Sequence, residues 1–336
     1  MTPRELACRA VREHDGSSAP LGHLREAPIE VSGMASGHAV FAFDDTDARG
    51  QRAVKVYVKV YPDRGASAQL SRLQRLGHVL QTVDAVHPLH IPTPLGVDRE
   101  GRCLLQAPAR GRMLSDFSAG PDLLQALELT GAALARLHRT PASVLSVLDG
   151  TGEGGDGGSA GDHGARLQDQ IEALMRPQPD GLAHERPELS AQVRGVLALL
   201  ARRFDACRSA GPATLAHRDV HPRQLFVSDD GVDLIDWDLA GAADPALDLA
   251  NLMSHLQRRW PGHQAATLAA LAQGYGQDRV AAMQDRLAVW GAFHHLRRAC
   301  KCHRLGAEPM RIQAELTAAR QALDAPSNPL SPGVST

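Results

Sequence analysis

From Arg52 to Tyr61 the chain alternates without a break. Val54, Val56, Val58 and Val60 fall on one side, and Lys55, Tyr57, Lys59 and Tyr61 on the other. A period of two is that of a strand with one buried face. His38 to Asp44 is another apolar, β-prone run, and the turn-rich segment Asp45 to Gly50 lies between the two, so an antiparallel hairpin is expected. Over residues 66 to 82 the period changes, and Gln69, Leu73 and Leu76 share one helix face. Ile91 to Val97 and Arg102 to Ala107 read as two further strands. From Pro121, a proline suited to a first helical position, the pattern turns helical, with Leu127, Gly131, Leu134 and His138 in one stripe. A strand-rich segment at 214–238 interrupts the helices, which then run to about residue 324. A β-rich first third and an α-rich remainder predict an α+β fold of two lobes with a cleft between them.

The 336 residues are enough for such a bilobal unit, and the net charge of -2 argues against a dedicated nucleic-acid binder. Five scattered cysteines fit reduced thiols in the cytoplasm better than a disulfide framework. Met1 to His14 is charged throughout, and no run approaches the length of a membrane span, so neither a signal peptide nor a membrane association is expected. The glycine-rich stretch 149–164 reads as a flexible surface insertion, and residues 325–336, rich in proline and serine, as a disordered tail. Only three of the 36 basic residues are lysine, namely Lys55, Lys59 and Lys301. A lysine that survives such an arginine bias is a candidate for a role that needs a lysine, and two of the three lie in one strand.

Residues 215–227, Leu-Ala-His-Arg-Asp-Val-His-Pro-Arg-Gln-Leu-Phe-Val, carry the chemistry together with Gly231 to Asp238. They put a carboxylate, Asp219, in a loop, a polar carbonyl side chain, Gln224, five residues on, and a second carboxylate, Asp236, after an apolar strand. Phosphoryl transfer uses such parts, with one carboxylate to orient and deprotonate a hydroxyl and oxygen ligands to hold Mg²⁺ against phosphates. Phe226-Val227 and Leu234-Ile235 would form the hairpin that keeps them in register.

This pattern resembles the aminoglycoside phosphotransferase and choline kinase family. His217-Arg218-Asp219 through Gln224 is similar to its catalytic loop, Asp236 stands at its metal-binding Asp, and Asp244-Pro245-Ala246-Leu247-Asp248 follows at matching spacing. The resemblance implies a protein-kinase-like bilobal fold, with a β-rich N-lobe at 1–106 and a helical C-lobe at 107–324. It also implies ATP and Mg²⁺ as cofactors and a small molecule bearing a hydroxyl as acceptor. Asp219 would be the catalytic base, and Asp236 and Gln224 the metal ligands. Lys59 would hold the phosphates, with Lys55 as the rival, and Tyr57 would stack on adenine. Gly33 and Gly37 would lie in the loop over the phosphates, and Gln106-Ala107 would form the hinge at the adenine edge. Asp248 would brace the catalytic loop.

Two positions depart from the family pattern. Gln224 stands where the family has Asn, and residues 65 to 83 contain no acid to pair with the lysine, which leaves Gln69 as the stand-in. These departures keep a nucleotide-binding pseudokinase open as an alternative, alongside an atypical protein kinase. The basic C-terminal helices, with Arg297, Arg298, Lys301 and Arg304, point away from a polycationic acceptor. Arg110 and Arg112 read as surface residues. The cluster His294, His295, Cys300, Cys302 and His303 lacks zinc-site spacing.

Overall fold

The computed structural model describes residues 2–14, 29–32, 38–46, 52–82, 89–149, 166–207 and 213–324. Its first sheet has the order β1-β2-β3-β6-β5, from β1 (Ile29–Ser32), β2 (Ala39–Thr46), β3 (Arg52–Val60), β5 (Pro94–Val97) and β6 (Cys103–Gln106). The strands are antiparallel throughout, and β2 and β3 form the expected hairpin with Val40 opposite Lys59 and Ala42 opposite Tyr57. Val56, Val58 and Val60 are buried and Lys55 is exposed, as the alternation requires.

The buried valines are covered by α1 (Pro3–Glu13), a helix where the sequence suggests only a charged terminus. Its Leu6, Ala7, Ala10 and Val11 share a small core with Phe41, Phe43, Val58 and Leu105. Thr2 and Glu5 close a capping box at its start, with Glu5 N–H donating to Thr2 Oγ1 at 3.2 Å and Thr2 N–H to Glu5 Oε2 at 2.7 Å. On the other side of the sheet lies α2 (Ala66–Thr82), which buries Leu73, Leu76 and Leu80 into the main core.

A second sheet joins β4 (Leu89–His90), β7 (Arg112–Met113), β9 (Leu225–Ser228) and β10 (Gly231–Leu234) in the order β4-β10-β9-β7. A third pairs β8 (Thr214–Ala216) with β11 (Gly241–Ala243). The β9–β10 hairpin matches Val227 with Val232 and Leu225 with Leu234, both pairs buried.

Helices make up the rest. They are α3 (Pro121–Leu137), α4 (Val144–Asp149), α5 (Leu167–Leu174), α6 (Pro179–Glu185), α7 (Ser190–Cys207) and α8 (Pro245–Arg259), then α9 (Gln264–Tyr275), α10 (Gln277–Ala281), α11 (Gln284–Arg304) and α12 (Pro309–Asp324). Their apolar stripes, among them Leu127, Leu134, Val193, Leu252, Trp290 and Leu316, close on one continuous core. The fold is therefore α+β, with a small sheet-rich lobe and a larger helical one. Among the described residues no helix is long and apolar enough to cross a membrane. The loop with Gly33 and Gly37, the glycine-rich stretch from 150 to 165 and the segment 325–336 lie outside the described residues.

Candidate active site

The loop from His217 to Gln224 runs between β8 and β9, and its conformation is fixed from below. The buried Asp248 carboxylate accepts the backbone N–H of His217 at 2.8 Å and of Arg218 at 2.7 Å. It also takes the Nε2 proton of His138 at 3.1 Å, which leaves His138 Nδ1 to accept from the Tyr275 hydroxyl at 2.9 Å. Burial works against ionisation of Asp248, but the His138 and His217 contacts outweigh it and hold the carboxyl below its usual value. His217 donates Nε2–H to the Ile235 carbonyl at 2.9 Å, and its ring meets the Trp237 indole edge-on at 4.9 Å. The loop is thereby tied to the strand that delivers Asp236. Arg218 and Asp236 both have left-handed backbones, with φ of 66° and 67°. Non-glycine residues rarely adopt that region, and such outliers persist where surrounding bonds over-determine them, often at functional sites.

On this frame three distant parts of the chain converge. Lys59 Nζ reaches from β3 to Asp236 Oδ1 at 2.6 Å and to Asp238 Oδ2 at 2.8 Å. Gln224 Nε2 lies 3.4 Å from Asp236 Oδ2 and 3.5 Å from Asp219 Oδ2, so its amide links the two expected carboxylates. Lys55, four residues earlier on the same strand, is exposed, and Lys59 is the lysine the fold brings to Asp236. Burial raises the cost of the Asp236 charge. Lys59 overrides that, helped by His38 and His217, and the carboxyl stays below its ordinary value. His38 sits 3.6 Å from Asp238, and burial with the nearby Lys59 charge keeps its imidazole below its usual pKa.

The oxygen donors suit a hard divalent cation. Among the described residues Gln224 Oε1 is buried with no hydrogen-bond partner, beside the Asp236 carboxylate. An orphaned carbonyl oxygen next to a carboxylate is the kind of ligand set Mg²⁺ takes, completed by water and phosphate oxygens. The extra methylene of Gln over Asn is absorbed, since the amide reaches both carboxylates.

The lysine's partner differs from the expectation. Gln69 Nε2 donates to Asp238 Oδ1 at 3.1 Å, so the helix glutamine holds the acid that holds Lys59. Tyr61 also donates its hydroxyl to Asp238, at 3.2 Å. The carboxylate missing from α2 is supplied two residues after Asp236, and the Asp236-Trp237-Asp238 spacing was the signal for it. Arg297 has a role that its place in a basic helix does not disclose. Its Nη1 lies 3.0 Å from Asp219 Oδ1 and donates to the Arg218 carbonyl at 3.2 Å.

Tyr57 is half-buried opposite Gln106 on β6, and burial pushes its phenol pKa up. The Ala107 N–H is committed to the Thr93 carbonyl at 2.9 Å, so a contact from Ala107 to a nucleotide base has to come from another of its groups. Arg110 is not merely a surface residue, since it pairs with the buried Asp233 at 2.9 Å and fastens the turn after β6 to β10. The histidines of the His/Cys cluster have separate partners: His294 the Leu247 carbonyl, His295 Glu315, and His303 Glu185.

The profile described as the phosphotransferase enzyme family matches residues 30–288. No curated protein matches the chain in sequence. Among solved structures, a ligand-free thermostable mutant of aminoglycoside phosphotransferase APH(4)-Ia superposes with a TM-score of 0.57 at 14% identity, covering 90% of this chain and 95% of its own. A choline/ethanolamine kinase family protein from Mesorhizobium loti gives 0.53 at 14% identity, covering 94% of this chain and 93% of its own. The Streptomyces rimosus aminoglycoside phosphotransferase APH(3'')-Id, in complex with ADP and streptomycin, gives 0.52 at 20% identity, covering 87% of this chain and 99% of its own. At these identities the likeness is one of fold.

Proposed function

This chain belongs to the phosphotransferase enzyme family, and on that ground we propose that it is a cytoplasmic small-molecule kinase that moves the γ-phosphoryl group of ATP to an acceptor hydroxyl. The observation that carries this reading is the chain of contacts from Lys59 to Asp236, from Asp236 to Gln224 and from Gln224 to Asp219, across the two lobes.

In this reading Asp219 receives the acceptor O–H. One of its oxygens is held by Arg297 and the other approached by Gln224, so its orientation is set on both sides. A carboxylate offers about four lone-pair sites, which leaves room for the hydroxyl. As the acceptor oxygen attacks the γ-phosphorus in line, the bond from that phosphorus to the β–γ bridging oxygen breaks to release ADP, and the acceptor proton passes to Asp219. Asp236 and the free Oε1 of Gln224 would hold Mg²⁺, which neutralises phosphate charge when bound. Lys59 leaves its two carboxylates enough to meet the phosphates, and Asp238 keeps it within reach. Tyr57 would flank the adenine near Gln106 and Ala107, and Gly33 and Gly37 would cover the phosphates. Catalysis of this kind is positioning and electrostatics more than covalent chemistry, and it rests on the braced loop.

The test is the Asp219→Asn variant with γ-labelled ATP and a panel of amino alcohols, sugars, hydroxy acids and antibiotics. Nucleotide affinity is expected to stay near wild type while transfer falls by about 10²–10⁴-fold. Near-normal transfer would remove Asp219 from the chemistry. Mg²⁺-dependent ATP binding by the wild type with no transfer to any acceptor would favour the pseudokinase reading.

A further inference from the structure

The wall beyond Asp219 is built by α8, α11 and the loop, and its charge is one-sided. No Asp or Glu occurs from Arg286 to Ala307 or from Leu249 to Gln277. On α11, Arg297 and Lys301 are four residues apart and share a face. Arg297 meets the Asp219 carboxylate through Nη1 at 3.0 Å. Its side chain is 19% exposed, and among the described residues its Nε and Nη2 make no hydrogen bond. A guanidinium carries five N–H donors in a planar fork, so most of this one's capacity is unused beside the reacting group. Lys301, one turn on, is exposed and makes no ion pair among the described residues.

The facing elements add more cationic or cation-capable groups. His221 from the loop and His255 from α8 lie with ring centroids 5.3 Å apart and planes tilted at 40°, and the charge of Lys301 reaches both rings. Arg258 on α8 feels Arg298 across the helix pair. Among the described residues the acids near these groups are Asp219, which Arg297 holds, Asp236, whose charge also reaches His221, Asp248 of α8, buried under the loop and bonded to its backbone, and Glu315, which His295 approaches at 2.7 Å and Arg298 at 3.1 Å. Burial comes first in keeping His221 and His255 below their usual pKa, and Lys301 adds to it. A concentration of like charge with free donors beside a reactive carboxylate costs stability unless a counter-charge arrives.

We infer that the acceptor carries an oxyanion, a carboxylate or a phosphate ester, beside the hydroxyl to be phosphorylated, and that Arg297 and Lys301 receive it. This rests on the phosphotransferase reading of the site. The unused edge of the Arg297 fork suits bidentate capture of an oxyanion, and its Nη1 can stay on Asp219, so one residue would align both the acceptor and the base. A cationic acceptor would meet repulsion at the same place.

The test uses four probes that differ mainly in charge: glycerol, glycerate, glycerol 3-phosphate and choline. Each is titrated calorimetrically into the full chain, alone and with Mg²⁺ and a non-hydrolysable ATP analogue, so that the γ-phosphate position is filled in one arm. Glycerate or glycerol 3-phosphate is expected to bind at least about tenfold tighter than glycerol and choline. Arg297→Gln should abolish that preference, and Lys301→Gln, an exposed change that leaves the fold intact, should reduce it about threefold. The stronger of the two anions tells carboxylate from phosphate ester. Equal affinities, a preference for choline, no anion binding at millimolar concentration, or a preference that survives both substitutions would overturn the inference. Failure of the phosphotransferase reading itself shows separately, as no binding of the ATP analogue and no transfer of labelled phosphate, whatever the anion titrations give.

Discussion

At the scale of single residues, Gln69 is where the structure most changes the meaning of the sequence. Compared with the family pattern it is a weak substitute for a glutamate. In the fold it is matched to Asp238, donating an amide N–H to a carboxylate that already accepts from Lys59 and Tyr61. Restoring the acid by Gln69→Glu would remove that donor and put a second carboxylate within about 3 Å of the first, and like charges so close disfavour one another. The variant is expected to lose about 1–2 kcal/mol of stability and to bind ATP more weakly. Adding Asp238→Asn should recover part of both, because the pair would again hold one charge and one amide. Denaturant titration and nucleotide affinity of the single and double variants check this, and a Gln69→Glu variant more stable than wild type would show the two side chains to be independent. The partnership could not be read along the chain, since 169 residues separate the two positions and no local pattern joins them.

At the scale of elements, what was legible followed from period and what was missed followed from contact. The β2–β3 hairpin, the bounds of α2 and the β9–β10 hairpin around the candidate loop came from alternation, helical spacing and turn residues. In α1 the apolar face is only Leu6, Ala7, Ala10 and Val11 among charged neighbours, and the capping box at Thr2 and Glu5 was its clearer mark. The expected helical stripe with Leu127, Gly131, Leu134 and His138 does exist, but Gly131 has a use that no stripe reveals. A Cβ at Gly131 would run into the Leu271 backbone carbonyl, and one at Gly274 into the backbone of Glu128. The two glycines therefore let α3 and α9 pack backbone to backbone, and that crossing seats His138 and Tyr275 beneath Asp248. Gly274→Ala is expected to force the helices apart and to cost about 2–3 kcal/mol, more than the fraction of a kcal/mol that alanine gains in an open helix. Thermal unfolding measures the cost. A control at Gly195 on α7, where a Cβ meets nothing, should be neutral or slightly stabilising. An unchanged melting temperature in Gly274→Ala would mean that the two helices can separate at this crossing without cost.

At the scale of the whole molecule, a net charge of -2 conceals a division, because acids and bases balance in number while one wall is cationic. That division has a consequence for stability on acidification. His255 lies between α8 and α11, where burial first and then Arg258, His221, Arg298 and Lys301 push its pKa down to about 3. Buried His294 beside it is also held well below its ordinary value. An unfolded chain takes up a proton at His255 as the pH falls through about 6.5, whereas the folded chain resists until about 3. Between those values the unfolded state binds more protons, so stability falls as the pH falls, and the stabilisation is fully present only above about 6.5. The imidazole is partly accessible to water, so the cost is discounted to about 1–2 kcal/mol between pH 7 and 4. His255→Gln removes the titration and should flatten that part of the stability profile by the same amount, as read from denaturant midpoints at the two pH values. An oxyanion resting on Arg297 and Lys301 would lower the local positive potential and raise the His255 pKa toward its ordinary value. Glycerate or glycerol 3-phosphate should therefore protect the wild type more at pH 5 than at pH 7, and His255→Gln should lose the excess. Equal protection at both pH values would separate the histidine from the anion and leave the cationic wall to act through Arg297 and Lys301 alone.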